Sequence, residues 1–170
     1  QAGVKEYIAT LRLGATTPSF DLEHPVDHTY PTCHIDHQLV EKQLKKFIGD
    51  IWQTPPAFSA VKVDGKRAYD LARKGKEVEL KPKLLRIDEL ELLDCALAGA
   101  EKFLTIRVVC SKGTYIRALA RDIGEALGSG AHLTSLRRTR VGDFRVEDCM
   151  QLDDFEGWLA QQTIETELPQ

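Results

Sequence analysis

Four groups of residues in this chain carry side chains able to do chemistry. The first is Ser111-Lys112-Gly113-Thr114-Tyr115-Ile116-Arg117. An apolar run ends at Cys110, a glycine turn follows, and helical spacing begins near Tyr115. Tyr115 and Arg117 therefore belong to a first helical turn, where backbone N–H groups and the helix dipole favour an anion. Arg117 has the planar fork for a carboxylate or phosphate. Tyr115 offers a stacking ring and a hydroxyl. The same spacing also suits a plain helix start, with the tyrosine in the core and the arginine in water.

The second group runs from Pro55-Pro56-Ala57-Phe58-Ser59-Ala60 through Tyr69 and closes at Arg73. Lys62, Lys66, Arg67 and Arg73 interleave with Phe58 and Tyr69, a composition that suits phosphates and stacked, unpaired bases. An ordinary surface hairpin is the alternative. The third group, Leu136-Arg137-Arg138-Thr139-Arg140, puts three cations near a strand, fit for phosphate contacts or for guarding a strand edge. The fourth is His24, His28, Cys33, His34 and His37. Their spacing fits no recognised zinc pattern, and a surface loop with exposed histidines is expected rather than a metal site. No P-loop, G-x-G-x-x-G or G-x-S-x-G is present, which argues against nucleotide-driven motors, Rossmann enzymes and α/β-hydrolases.

The elements that must position these groups follow from periodicity. Residues 5–13 alternate with Tyr7, Ala9, Leu11 and Leu13 on one face, a strand pattern. Residues 14–34 read as a loop. Asp36 is placed to cap a helix reaching Phe47, with Leu39, Val40, Leu44, Phe47 and Ile48 inward and Gly49 as its stop. Pro55 and Pro56 rule out a central strand at 53–60. Asp64-Gly65 marks a hairpin turn, and residues 68–74 a short helix. Strands are expected at 84–95, 103–110 and within 132–146, and helices at 115–127 and 152–162. Without a regular βαβ rhythm, this order predicts an α+β fold, a mixed and mainly antiparallel sheet with flanking helices. The domain reading is 1–150 for the main folded unit and 151–170 for an acidic C-terminal helix or tail.

The 170 residues are enough for one domain with its own core. No apolar run approaches the ~20 residues needed to span a bilayer, and no signal pattern opens the chain. The four cysteines form no C-x-x-C pair, and reduced thiols in a cytoplasmic setting are expected. The net charge of -3 conceals an uneven distribution. Residues 60–86 hold nine Lys/Arg against four Asp/Glu, residues 111–145 seven against three, and residues 146–170 seven acids and no Lys/Arg. Two basic stretches thus form a potential nucleic-acid face that the acidic tail hides from the total.

Taken in order, these segments resemble the TruB family of tRNA pseudouridine synthases. The resemblance rests on Lys5-Glu6-Tyr7 with Leu13-Gly14, the Pro55-to-Arg73 stretch, Ser111 to Gly124, and Gly130-Ala131-His132-Leu133 through Arg138. It implies the pseudouridine synthase catalytic fold and isomerisation of the T-loop uridine at position 55 of tRNA, without cofactor or metal. The target base is flipped into the pocket, as chemistry on a base requires. The partner implied is the tRNA T-arm, with no membrane, and the intact enzyme is expected to be a monomer. The resemblance gives Tyr115 and Arg117 as catalytic. Tyr115 would lie near the reacting carbon 5, and Arg117 would pair with the nucleophilic aspartate. Tyr7 would pack on the flipped base and Leu136 line the pocket. Lys62, Lys66, Arg67 and Arg73 would meet phosphates of the T-loop.

One departure qualifies these roles. The family's nucleophile sits in a G-x-x-D-P-x-A-x-G-type motif upstream of the Lys5-Glu6-Tyr7 segment, and no aspartate here has that context. The catalytic fold is thus expected to be incomplete, Arg117 to face an empty place, and these residues alone to be inactive. The family's C-terminal RNA-binding module is likewise not expected. A non-catalytic tRNA-binding or folding module is the alternative function.

Overall fold

The computed structural model describes residues 4–56, 62–63, 66–67, 81–141 and 144–145. The expected helices at 68–74 and 152–162, the 151–170 tail, Arg73 and Cys149 lie outside the described residues.

The elements, in order, are β1 (Val4–Leu13), β2 (Ala15–Thr16), β3 (His28–Thr29), α1 (His37–Lys45), β4 (Gly49–Gln53), β5 (Lys62–Val63), β6 (Lys66–Arg67), β7 (Lys83–Ala96), β8 (Lys102–Ser111), α2 (Ile116–Ala126), β9 (Ala131–Val141) and β10 (Phe144–Arg145). Six strands form one sheet in the order β10-β9-β1-β8-β7-β4, and every pairing described is antiparallel. This is the α+β architecture that the interspersed strands and helices predict. No helix of the described residues is long and apolar enough to cross a membrane.

Alternation in β1 decides which face is buried. Tyr7, Ala9, Leu11 and Leu13 pack with Leu104, Ile106, Val108 and Cys110 of β8 and with Leu133 and Leu136 of β9. The helices close over this core. α2 contributes Ile116, Leu119, Ala120 and Ile123, and α1 contributes Val40 and Leu44. Each such aliphatic side chain contributes roughly 1.5–3 kcal/mol on burial. Gly124 lets α2 approach the start of β9, because a Cβ there would stand 2.4 Å from the Ala131 nitrogen.

The opposite face carries a buried ion-pair network beside Val109. Glu6 meets Arg107 at 2.9 Å, and the same guanidinium reaches Glu89 and Glu91, each at 2.9 Å. The Thr139 hydroxyl donates to Glu6 at 2.8 Å. Thr139 is the extra residue of a β-bulge between Glu6 and Tyr7, a device that bends a strand and re-aims its neighbours.

The Asp36 cap is present, its carboxylate accepting from the Leu39 N–H at 2.8 Å. Two expectations need correction. Ile48 is 45% exposed rather than inward, because α1 ends at Lys45 and beyond it Phe47, not Ile48, packs against the core. Gly49 does not stop the helix but opens β4 at φ +106°, pairing with Ile87. The five residues of β4 form an edge strand that ends just before the two prolines. Residues 14–34 are loop apart from the short β2–β3 pair.

Candidate active site

Gly113 turns the chain between β8 and α2 with φ +89°, a conformation that disfavours any side chain there. Tyr115 then becomes the N-cap of α2, without capping the helix through its own side chain. Its backbone is held by Gln53 at the end of β4. The Tyr115 N–H donates to Gln53 Oε1 at 2.9 Å, and Gln53 Nε2 donates to the Tyr115 carbonyl at 3.2 Å. The amide pair is buried, so both ends must be satisfied within the protein. Burial pushes the Tyr115 hydroxyl above its ordinary pKa of 10, and Arg117 partly offsets this.

Arg117 is 3% exposed, where a guanidinium needs partners. Its Nη1 donates to the Ser19 carbonyl at 3.2 Å and stands 3.9 Å from the Asp21 carboxylate. Arg117 is therefore seated on the 14–34 loop by partners that the resemblance did not imply. Asp21 is itself fixed by a tight turn. Ser19 Oγ donates to its carboxylate at 2.5 Å, as does the Glu23 N–H at 2.9 Å, while its own N–H donates to Thr17 Oγ1 at 3.1 Å.

Register fixes the remaining core candidates relative to that strand end. Val4 pairs with Ser111, so β1 begins beside the strand end that leads to Tyr115. Tyr7 lies three residues in, opposite Arg138. The Arg138 guanidinium covers the Tyr7 ring at 5.6 Å from its centroid, and its Nη2 donates to the Tyr7 hydroxyl at 3.4 Å. Leu136 pairs with Ala9 on the same face and is buried. Lys5 has its pKa lowered by burial first and then by Arg138 and, less, Lys112, with Cys110 acting the other way. Positive charge is thus concentrated beside Tyr7.

Lys62, Lys66 and Arg67 lie in a separate two-stranded pair in which Lys62 faces Arg67 across the ladder. The histidine group disperses. His24 bonds Ser19 Oγ, His34 bonds the Leu127 carbonyl, His28 sits beside Asp27 and His37 beside Glu41. Cys33 is exposed. Among the described residues, no three His, Cys, Asp or Glu side chains form a group that could hold a metal ion.

Four participants escaped the sequence reading: Ser19, Asp21, Gln53 and Arg138 as the cover of Tyr7. Only the Thr17-to-Asp21 turn carried a local signal, in the hydroxyls that flank an aspartate.

Two family models cover the chain. The model described as the TruB family pseudouridylate synthase N-terminal domain matches residues 1–116. The chain belongs to the TruB family. The second, described as the tRNA pseudouridylate synthase B C-terminal domain, matches residues 117–170. TruB-family relatives include the tRNA pseudouridine synthase B of Bacteroides thetaiotaomicron, 67% identical over 98% of this chain and 70% of that protein. That of Phocaeicola vulgatus is 69% identical over 97% of this chain and 68% of that protein. That of Mycobacterium bovis is 45% identical over 90% of this chain and 51% of that protein. Among solved structures, a chain of a Cbf5-Nop10-Gar1 complex matches with a TM-score of 0.59 and 28% identity, over 96% of this chain and 39% of that one. A chain of the archaeal box H/ACA sRNP Nop10-Cbf5 complex matches in fold, with a TM-score of 0.54 and 22% identity, over 98% of this chain and 39% of that one. The TruB family is one of isomerases, and the chain spans about two fifths of these solved chains.

Proposed function

We propose that this chain acts in the conversion of uridine to pseudouridine in tRNA, at the T-loop uridine of position 55. The observation that carries this reading is the buried Tyr115 and Arg117 at the start of α2, with Tyr7 buried on β1, the strand paired to the one that leads into that helix, within a chain of the TruB family. In this reading Tyr7 and Leu136 form the apolar bed of the flipped base. The Arg138 guanidinium, over the Tyr7 ring, supplies charge toward the backbone of that nucleotide. Tyr115, whose hydroxyl is harder to ionise because of burial, stands by carbon 5. Asp21 and the Ser19 carbonyl hold Arg117 in the orientation from which it addresses the nucleophilic carboxylate. Lys62, Lys66, Arg67 and Arg73 meet T-loop phosphates, and neither cofactor nor metal takes part. Residues 1–150 serve as the catalytic unit and 151–170 as an acidic extension.

The nucleophile motif is not among these 170 residues. The reading therefore gives them RNA recognition and the orienting half of the chemistry, without turnover of their own. The test is binding of a T-arm hairpin, wild-type loop against a loop-scrambled control, to the purified 170-residue chain. Preference for the wild-type loop supports the reading, and equal affinity for both overturns it.

A further inference from the structure

Two arginines one helical turn apart on α2 grip the same short turn. Arg117 takes the Ser19 carbonyl and faces Asp21. Arg121 lies over the ring of the intervening Phe20, 5.7 Å from its centroid. Phe20 stands at φ +61°, a left-handed conformation that is strained for a bulky residue. Its carbonyl accepts from the Leu133 N–H at 2.8 Å and its own N–H donates to Thr17 at 3.1 Å. Ser19 and Asp21 are thereby both presented to Arg117. The Phe20 side chain instead borders an outer cleft of about 380 Å³ together with Arg121.

Arg121 makes two further contacts. Its Nε donates to the Asp122 carboxylate at 2.9 Å, and its Nη2 donates to the Thr54 carbonyl at 2.8 Å. Thr54 precedes Pro55 and Pro56. The fixed φ of two prolines makes that junction stiff, so a shift where the basic stretch begins is passed to the carbonyl that Arg121 holds. One guanidinium therefore touches the strained turn that orients Arg117 and the entry to the stretch read as RNA-facing. Stacking of the guanidinium over the Phe20 ring is favourable and opposes the strain at Phe20.

We propose that Arg121 is a positioning residue that locks the strained Ser19–Asp21 turn, and through it Arg117, to the start of the RNA-facing stretch at Thr54. Binding of RNA to that stretch then tightens the seat of Arg117 before chemistry. The coupling rests on the RNA-facing reading of the Pro55-to-Arg73 stretch, whereas the grip on the turn does not.

Amide hydrogen exchange of the 170-residue chain, free and with a T-arm hairpin, separates the two. In the free protein, Arg121→Ala should speed exchange at Asp21 and Glu23 about 10-fold by local opening, with β1 and β8 unchanged. Arg121→Lys keeps a cation over Phe20 and should restore their protection. With RNA, wild type should gain protection at Asp21 and Glu23, whereas both variants should bind RNA without that gain, since lysine lacks the fork that reaches Thr54. Wild-type exchange rates in free Arg121→Ala, or loss of protection that spreads through β1 and β8, overturn the grip. An RNA-induced gain that persists in both variants overturns the coupling. A wild-type chain that binds no hairpin overturns the RNA-facing reading and the coupling with it, while the free-state comparison still decides the grip.

Discussion

Arg117 and Asp21 stand 3.9 Å apart on elements separated by most of the chain, each side chain only 4% exposed. Removing one partner of a buried pair leaves the other charge without compensation. Asp21→Asn should therefore lower stability by about 3 kcal/mol, read as a fall in the urea midpoint at unchanged slope. A loss below about 1 kcal/mol would show that Ser19 and the other contacts of Arg117 suffice without the carboxylate.

Gln53 spans the backbone of Tyr115 with both atoms of its amide. Gln53→Ala leaves a buried N–H and carbonyl unmet and should cost about 2 kcal/mol. Gln53→Glu keeps the acceptor for the Tyr115 N–H but turns an oxygen toward the Tyr115 carbonyl, so it should cost at least as much. Thermal melts of the two variants check this. A glutamate variant as stable as wild type would exclude the paired amide bonds.

Cys110 is fully buried, and burial pushes its thiol up to about 12 from 9. A raised folded-state pKa contributes stability that is complete below the unfolded value and lost as pH rises toward the folded one. Stability should therefore fall between pH 9 and about 12. Urea midpoints measured from pH 8 to 10.5 should decline more steeply for wild type than for Cys110→Ala. At pH 8 a thiol reagent should modify exposed Cys33 rapidly and leave Cys110 intact until the chain unfolds. Parallel pH curves for the two proteins would contradict the assignment.

Lys62 and Arg67 face one another across the β5–β6 ladder. If both meet phosphates, the double substitution Lys62→Ala with Arg67→Ala should weaken T-arm binding. It should also reduce the slope of log affinity against log salt by about 1.4–1.8, at 0.7–0.9 for each contact. An unchanged slope would remove this pair of strands from the interface.

What was legible in the sequence was local. The alternation of β1 and the Asp36 cap depend on neighbours a few residues away, and the glycine turn before Tyr115 is written in one heptapeptide. The short edge strand β4 was hidden because Gly49 resembles a helix stop and the prolines follow soon after. The contacts that build the site were out of reach for a different reason. Gln53 meets Tyr115 across 62 positions, and Arg117 meets Ser19 across 98. No periodicity encodes such pairings, which arise only once β4 and the 14–34 loop are folded against the start of α2. The resemblance supplied a role for Arg117 but not the aspartate that neutralises it.

The most direct measurement is tritium release from a T-arm hairpin labelled at carbon 5 of its uridines, with the purified 170-residue chain in excess and binding followed in parallel. The expected result is loop-dependent binding with no release above background. Stoichiometric release would contradict the division of the site between these residues and a nucleophile they do not contain.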